Sequence, residues 1–485
     1  MGCIEPQQSL LPAPPQRITP LNVVLISTYE LGRQPFSLAS PAAWLRQAGC
    51  QVTCVDLAVQ GFAEARKAIS SANLIAISLP MHTATRLASG LIGKIRAGNS
   101  TGHICFYGLY APMNEAYLRS IGGETILGGE FEEGLIALAK RLAAQTEAGA
   151  STTESKQSEP LISLKRQNFL VPDRSDLPSL RQYAQLQMAP GQMKMVGYTE
   201  ASRGCKHLCR HCPIVPVYNG AFRIVQRGVV LEDVRRQVAR GAKHITFGDP
   251  DFFNGPTHAV AIVNALHDEF PDLTYDVTIK VEHLLKHREH LGSLRRTGCL
   301  FVTCAVESID NAVLKIYDKN HTREDFIECA RIFREIGLQM NPTFVVFAPW
   351  TTVESYVDLL HVLVNLDLTE NVAPVQYAIR LLIPLQSRLL EVEEVRDLVG
   401  EFDQQNLMYP WRHPDPRVDQ LYRDVLGAIQ KGQSLRENRR QIFVRVWDIA
   451  HQAYRGSVSE KFKIALLDQA APRAAIPFLT EPWYC

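Results

Sequence analysis

Two successive series of apolar strands alternating with helices predict an α/β protein in three parts. These are an N-terminal doubly wound Rossmann-like domain, a second α/β part whose repeats are compatible with a partial (βα)6 barrel, and a helical C-terminal region. The first series fills residues 21–144. The second begins at Met195 and gives six strand–helix repeats. After Arg388 the strand signal stops and helical periodicity with charged faces takes over.

Residues 1–20 carry five prolines and little periodicity, so a disordered arm is expected there. Strands are then predicted at Asn22–Ser27, Gln51–Leu57, Leu74–Leu79, Ile104–Gly108 and Thr125–Leu127. They are short, continuous and apolar, as when helices cover both faces of a parallel sheet. Helix-like stretches lie near Pro41–Ala48, Thr85–Arg96, Asn114–Ile121 and Glu132–Ala143. Residues 145–160 are small and polar and read as a flexible linker. The barrel part, 161–390, has predicted strands at Met195–Glu200, His244–Phe247, Thr274–Lys280, Leu300–Val306, Asn341–Phe347 and Val375–Leu382. In residues 391–485, helices are predicted over Glu391–Gln405, Val418–Lys431 and Leu435–Tyr454.

The bulk properties narrow the function. The chain has 485 residues, 46% hydrophobic and 21% charged, enough for ordinary cores. A net charge of +1 gives no sign of a nucleic-acid partner. No apolar run reaches the 18 residues of a membrane span, and the N-terminus does not resemble a signal peptide. Met1-Gly2-Cys3 is followed by Pro6, which breaks the myristoylation pattern. Eleven scattered cysteines are not a disulfide framework, and a reducing, cytoplasmic setting is expected.

Three of those cysteines stand apart. Cys205, Cys209 and Cys212 lie in Ser202-Arg-Gly-Cys-Lys-His-Leu-Cys-Arg-His-Cys-Pro213. Four thiolates complete a four-iron cube, so three leave one iron open to an exogenous ligand. The Cys-x3-Cys-x2-Cys spacing after Ser-Arg-Gly resembles the radical S-adenosylmethionine (SAM) enzymes. That resemblance implies a [4Fe-4S] cluster on these cysteines, SAM on the open iron, and reductive cleavage of SAM to start radical chemistry. One departure is His211, where the family usually has a large aromatic residue. A zinc site using His207 or His211 is the competing reading of the same loop.

Functional groups in such folds sit at the carboxyl ends of strands. Gly248 and Asp249 occupy the place where the family contacts the SAM amino group, Glu307 matches a position the family often uses on SAM polar groups, and Arg380 is a further SAM candidate because it could face the cavity. Lys280 and Gln376 could face the cavity, Asp251 is a weaker candidate, and Arg223 reads equally as a surface charge. In the N-terminal domain, Gly128-Gly129-Glu130 and Tyr107-Gly108-Leu109-Tyr110 resemble the cobalamin-binding-like domain that precedes many radical SAM barrels. Gly108, Gly128 and Gly129 are therefore cobalamin-binding candidates. The Asp-x-His-x-x-Gly loop of many cobalamin proteins has no counterpart, because Thr28-Tyr-Glu-Leu-Gly32 stands there. Cobalamin would imply methyl transfer to an unactivated carbon or phosphorus of a small molecule, and its absence another radical alkylation, rearrangement or coupling. A one-electron reductant such as flavodoxin or ferredoxin is an implied partner. The alternative from another class is a non-catalytic iron–sulfur or zinc-binding sensor.

The sequence ends Ile476-Pro-Phe-Leu-Thr-Glu-Pro-Trp-Tyr-Cys485. It also resembles the CUAEP/CCAEP-tail radical SAM group, in which Cys is followed by selenocysteine or Cys and then Ala-Glu-Pro. That resemblance implies a selenoprotein, with Cys485 as the first half of a redox-active or metalloid-binding pair.

Overall fold

The computed structural model describes residues 21–147, 157–455 and 477–480. The expected N-terminal arm, most of the linker and Cys485 lie outside the described residues.

Six parallel strands make the first sheet. They are β1 (Asn22–Ser27), β2 (Gln51–Asp56), β3 (Leu74–Ser78), β4 (His103–Tyr107), β5 (Thr125–Gly129) and β6 (Ile162–Ser163), in the order β2-β1-β3-β4-β5-β6. Helices cover both faces, and successive residues feed different layers. Ile26, Ile77 and Phe106 enter one core, while Leu25, Ala76 and Tyr107 enter the other. This double burial is why the strands read as unbroken apolar runs. The order reverses at β1, so the crevice at the carboxyl ends of β1 and β3 is the ligand position in such sheets.

Three local departures from expectation have local causes. The single helix expected over Thr85–Arg96 is two, His82–Ser89 and Ile92–Gly98, broken at Gly90. A helix at Phe62–Ser70 was not anticipated; of its nine residues only Ala65 and Ile69 are buried, which leaves little apolar periodicity to read. β6 was also missed, and within the stretch read as linker Glu159 is buried, its carboxylate 3.0 Å from the Arg141 guanidinium.

The second sheet starts with an antiparallel pair, β7 (Gln185–Ala189) and β8 (Gln192–Thr199). A small ribbon, β9 (Ser202–Gly204) with β10 (Phe222–Ile224), brackets the cysteine loop. The parallel strands continue through β11 (His244–Phe247), β12 (Thr274–Ile279), β13 (Cys299–Glu307) and β14 (Gln339–Phe344). The sheet runs β14-β13-β12-β11-β8-β7, and β15 (Phe478–Leu479) adds antiparallel to β7. The helix Arg323–Ile336 shows how sequence sets these elements. Thr322 and Asp325 form a capping box at its start, and Gly337 takes the left-handed conformation at its end.

The expected sixth barrel strand, Val375–Leu382, is not formed. Pro374–Ala378 is a 3-10 turn, and the Gln376 side chain accepts the Phe344 N–H at 2.9 Å in place of a neighbouring strand's carbonyl. Only one ladder step survives, a parallel bridge between Phe347 and Arg380. The helix expected over Glu391–Gln405 is likewise short, Glu393–Leu398. Beyond it the chain folds back, with bridges Val399–Trp411 and Asp403–Met408, and Asp403 collects the N–H groups of Gln405 and Asn406. The other two helices form as Pro416–Ser434 and Arg439–Arg455 and pack on the barrel core. Among the described residues no helix is long and apolar enough to cross a membrane.

Candidate functional site

A cavity of about 1310 Å³ lies between the carboxyl ends of the two sheets. That exceeds the roughly 300–1,000 Å³ of a usual small-ligand pocket. The N-terminal domain lends it Glu30, Pro80, Gly108 and Gly129; the barrel lends it Glu200, Cys212, Gly248, Asp249 and Asn341. The C-terminal helices and β15 close one side with Arg439 and Phe478, whose ring lies 4.6 Å under the guanidinium.

The cysteine loop is held by its backbone. Cys212 N–H donates to Cys209 O at 3.1 Å, Arg210 N–H to Tyr317 O at 3.0 Å, and the Arg388 guanidinium to Leu208 O at 3.1 Å. Cys209 is buried, and Cys212 opens on the cavity. Burial pushes the thiols up, Cys205 to about 11 and Cys212 to about 12, so loading the thiolates with metal releases protons. Three thiols on one tight loop, one of them on the cavity wall, fit a cluster with an open iron facing that space. His211, in the place of the usual aromatic, packs on the Tyr317 ring at 4.6 Å and lies 3.4 Å from Glu307.

Asp249 is almost fully buried where β11 ends. One oxygen accepts from Ser202 Oγ at 2.6 Å and the other from Ala201 N–H at 2.9 Å. Burial pushes its carboxyl up to about 7 against those hydrogen bonds. Gly248 has no room for a side chain: a Cβ there would lie 1.7 Å from Tyr198 Oη. The Tyr198 hydroxyl reaches Glu200 at 3.4 Å, so tyrosine, glycine and two carboxylates share one corner.

Other predicted residues take different places. Glu307 has a left-handed backbone, φ +67°, and its carboxylate meets Lys319 at 3.2 Å and His211 behind the cluster loop. Burial pushes Glu307 up, but Lys319 and His211 outweigh it and hold the carboxyl well below its usual range. Arg380 does not reach the cavity. It donates to Asp419 at 2.7 Å and lies 3.8 Å over the Trp411 ring, because the failed sixth strand turns it toward the C-terminal helices. Lys280 pairs with Glu282 at 3.0 Å, and Arg223 donates to Leu164 O, so neither lines the cavity. Gln376 does line it. Asp251 lies against His207 and His283. Gly108 and Gly129 present bare backbone to the cavity, whereas Gly128 packs on Pro112. Gly129 is required twice over, by φ +69° and by Ser163 O, 2.2 Å from any Cβ.

Sequence reasoning missed the bolt between the halves. Arg203, from Ser202-Arg-Gly204, donates to Glu132 at 2.6 Å, Glu130 at 3.3 Å, Glu200 at 2.9 Å and Ser40 at 3.1 Å. All four partners but Glu200 belong to the N-terminal domain. Burial pushes both domain-one carboxyls up. Arg203 outweighs it at Glu132, which is held below its usual range, while Glu130 stays raised to about 7. Two more signals were illegible. Glu30 caps the helix Phe36–Gln47, accepting from Phe36 N–H at 3.1 Å, and burial pushes it up to about 7. Asn341 Oδ1 is a buried acceptor on the cavity wall with no donor among the described residues. No histidine is among the described residues that line the cavity.

The comparisons agree with this arrangement. Residues 199–362 match the family model described as the Radical SAM superfamily. The chain is 24% identical over 151 residues to the hopanoid C-3 methylase of Methylococcus capsulatus, a match covering 31% of this chain and 29% of that relative's length. In fold it is similar to the cobalamin-dependent SAM radical enzyme OxsB with aqua-cobalamin bound. There the TM-score is 0.70 at 15% identity, over 93% of this chain and 75% of that one. It is also similar to the radical SAM methyltransferase TsrM from Kitasatospora setae, with tryptophan and a SAM analogue bound. That TM-score is 0.57 at 17% identity, over 71% of each chain. The chain thus carries a domain that matches the Radical SAM superfamily at residues 199–362, behind a domain of cobalamin-binding-like fold, and spans less than a third of the length of the curated relative it matches.

Proposed function

We propose that the protein is a cobalamin-dependent radical SAM methyltransferase acting on a small molecule bound in the interdomain cavity. One observation carries this reading. Cys212, the Gly248–Asp249 corner and the bare backbone of Gly108 and Gly129 all open into the same space. The bound cofactors would supply one-electron SAM cleavage and a methyl carrier.

The chain's own groups divide the remaining work. Cys205, Cys209 and Cys212 hold the cluster. The Gly248 backbone and Asp249, a carboxylate fit for an ammonium, receive the SAM amino group. Gly108 and Gly129 let a flat macrocycle approach the sheet ends closely. Asn341 Oδ1 takes a donor from substrate or SAM. Glu307 steadies the cluster loop through His211 rather than touching SAM. The absence of histidine from the described cavity wall favours cobalamin held without a protein imidazole on cobalt. A low-potential carrier such as flavodoxin or ferredoxin would deliver the electron.

Anaerobic reconstitution tests the reading. Iron, sulfide and cobalamin are added, and 5′-deoxyadenosine and S-adenosylhomocysteine are followed after reduction with SAM. Cobalamin should co-elute with the protein, and its cobalt(II) resonance should lack coupling to a protein nitrogen. A fully loaded cluster that retains no cobalamin would sink the methyltransferase reading. A zinc-loaded chain that never cleaves SAM would favour the sensor.

A further inference from the structure

Behind the cluster loop, away from the cavity, two buried groups and one partly buried group converge from separate elements. His207 comes from the loop itself, Asp251 from the end of β11, and His283 from the helix Val281–Lys286 that follows β12. Their ligating atoms all lie within 4.8 Å of one another. Asp251 Oδ2 is 2.6 Å from His283 Nδ1 and 3.4 Å from His207 Nε2. The side chains are 9%, 2% and 1% exposed for His207, Asp251 and His283. Each of the three atoms is buried without a well-formed hydrogen bond. Asp251's other oxygen is already used, accepting the Phe253 N–H at 3.0 Å.

Three facing, unsatisfied atoms would each cost about 1–3 kcal/mol if nothing joined them. We propose that His207, Asp251 and His283 form a second metal site, for a divalent transition metal, that ties the cluster loop to the ends of β11 and β12. Two imidazoles and a carboxylate are a zinc-type donor set, with water completing the fourth position. Metal bonds of about 2.0–2.1 Å at tetrahedral angles put ligand atoms roughly 3.3 Å apart. The His207–Asp251 spacing of 3.4 Å already meets that requirement, and the His283 ring would move outward slightly. Ligation through His207 Nε2 leaves the proton on Nδ1. As the side chains stand, Nδ1 accepts from the Lys280 ammonium at 3.3 Å, so on loading that N–H turns from Lys280 toward the Glu282 carboxylate, 3.6 Å away and paired with Lys280 at 3.0 Å. An imidazole oriented by an outer carboxylate is the usual support for a histidine ligand. None of the three side chains lines the cavity, so the site acts on the loop and not on substrate.

The test must keep the loop thiols out of the count. In the full-length chain with Cys205→Ser, Cys209→Ser and Cys212→Ser together, zinc(II) loading followed by desalting should leave about one zinc per chain. X-ray absorption at the zinc edge should show nitrogen and oxygen only. Adding His283→Ala should remove the metal. Wild-type protein with its cluster reconstituted gives an independent reading, because the cluster then occupies the thiols. It should hold zinc beside the cluster iron, and the His283→Ala holoprotein should not. Negligible zinc in the reconstituted wild type, zinc undiminished by His283→Ala, or sulfur in the zinc shell would each overturn the proposal.

Discussion

The two walls of the cavity are made differently from the same kind of architecture. The N-terminal wall offers bare backbone at Gly108 and Gly129 beside Ser78 and Pro80, with Glu30 and Arg33 as its charged groups. The barrel wall offers reactive side chains: Cys212, Glu200, Asp249 and Asn341. Both sets sit at the carboxyl ends of parallel strands, where such folds carry function. The contrast separates a surface that a large flat ligand can approach from one that can ligate, donate and accept. Arg203 joins them, and a second buried cation, Arg174, spans the same halves by donating to Gln34 at 3.1 Å and Asp233 at 3.0 Å.

The largest effect should come from the barrel wall. On the proposed function, replacing Cys209 by Ala would leave two thiolates, too few to hold the cube with an open iron. SAM cleavage should fall to background while the fold persists, read by 5′-deoxyadenosine formation beside circular dichroism. Retained activity would remove the distinction between the walls altogether.

Next is the bolt between them. Arg203→Met keeps much of the volume but strands Glu130, Glu132 and Glu200 in a buried site. A loss of about 3–5 kcal/mol is expected in equilibrium denaturation, as for other broken buried ion pairs. A loss below about 1 kcal/mol would show that water reaches the network and that the walls are held by other contacts.

A smaller effect tests the N-terminal wall alone. Gly129→Ala sets a Cβ against Ser163 O and demands a left-handed alanine. A cost of about 1–3 kcal/mol is expected. Cobalamin retention should fall while the iron content of the cluster does not. If iron falls in parallel, the two walls are not functionally separable.

The smallest prediction concerns pH. Burial raises Glu30 from 4.5 to about 7 in the folded chain. A raised carboxyl binds its proton more tightly when folded, so its contribution to stability is present at low pH and lost as pH rises through the folded value. Glu30→Gln should therefore gain in melting temperature relative to wild type between about pH 5 and pH 8. A difference that stays constant with pH would mean that Glu30 is solvated and that this wall is wetter than the structure shows.

Much of this was legible before any coordinates. The cysteine loop stands out in the sequence because three thiols at short range are a local pattern, and the structure keeps them on one loop with Cys212 on the cavity. The β1, β3 and β4 strands declare themselves because both faces are buried, which leaves continuous apolar runs such as Leu74–Ser78. Gly248 and Asp249 could be placed on the cavity because strand ends follow from strand positions.

What remained was decided by partners distant in the chain. Arg203 meets Glu132 across 71 residues, and His207, Asp251 and His283 meet only once β11 and β12 lie side by side. Arg380 read as a cavity residue until Gln376 satisfied the end of β14 with its side chain, the sixth strand failed, and the guanidinium turned to Asp419. Periodicity reports which residues are buried and which strand ends bear loops. It carries no record of which loop faces which, because that depends on strand order and on competition between side-chain and backbone hydrogen bonds, both settled only when the chain packs.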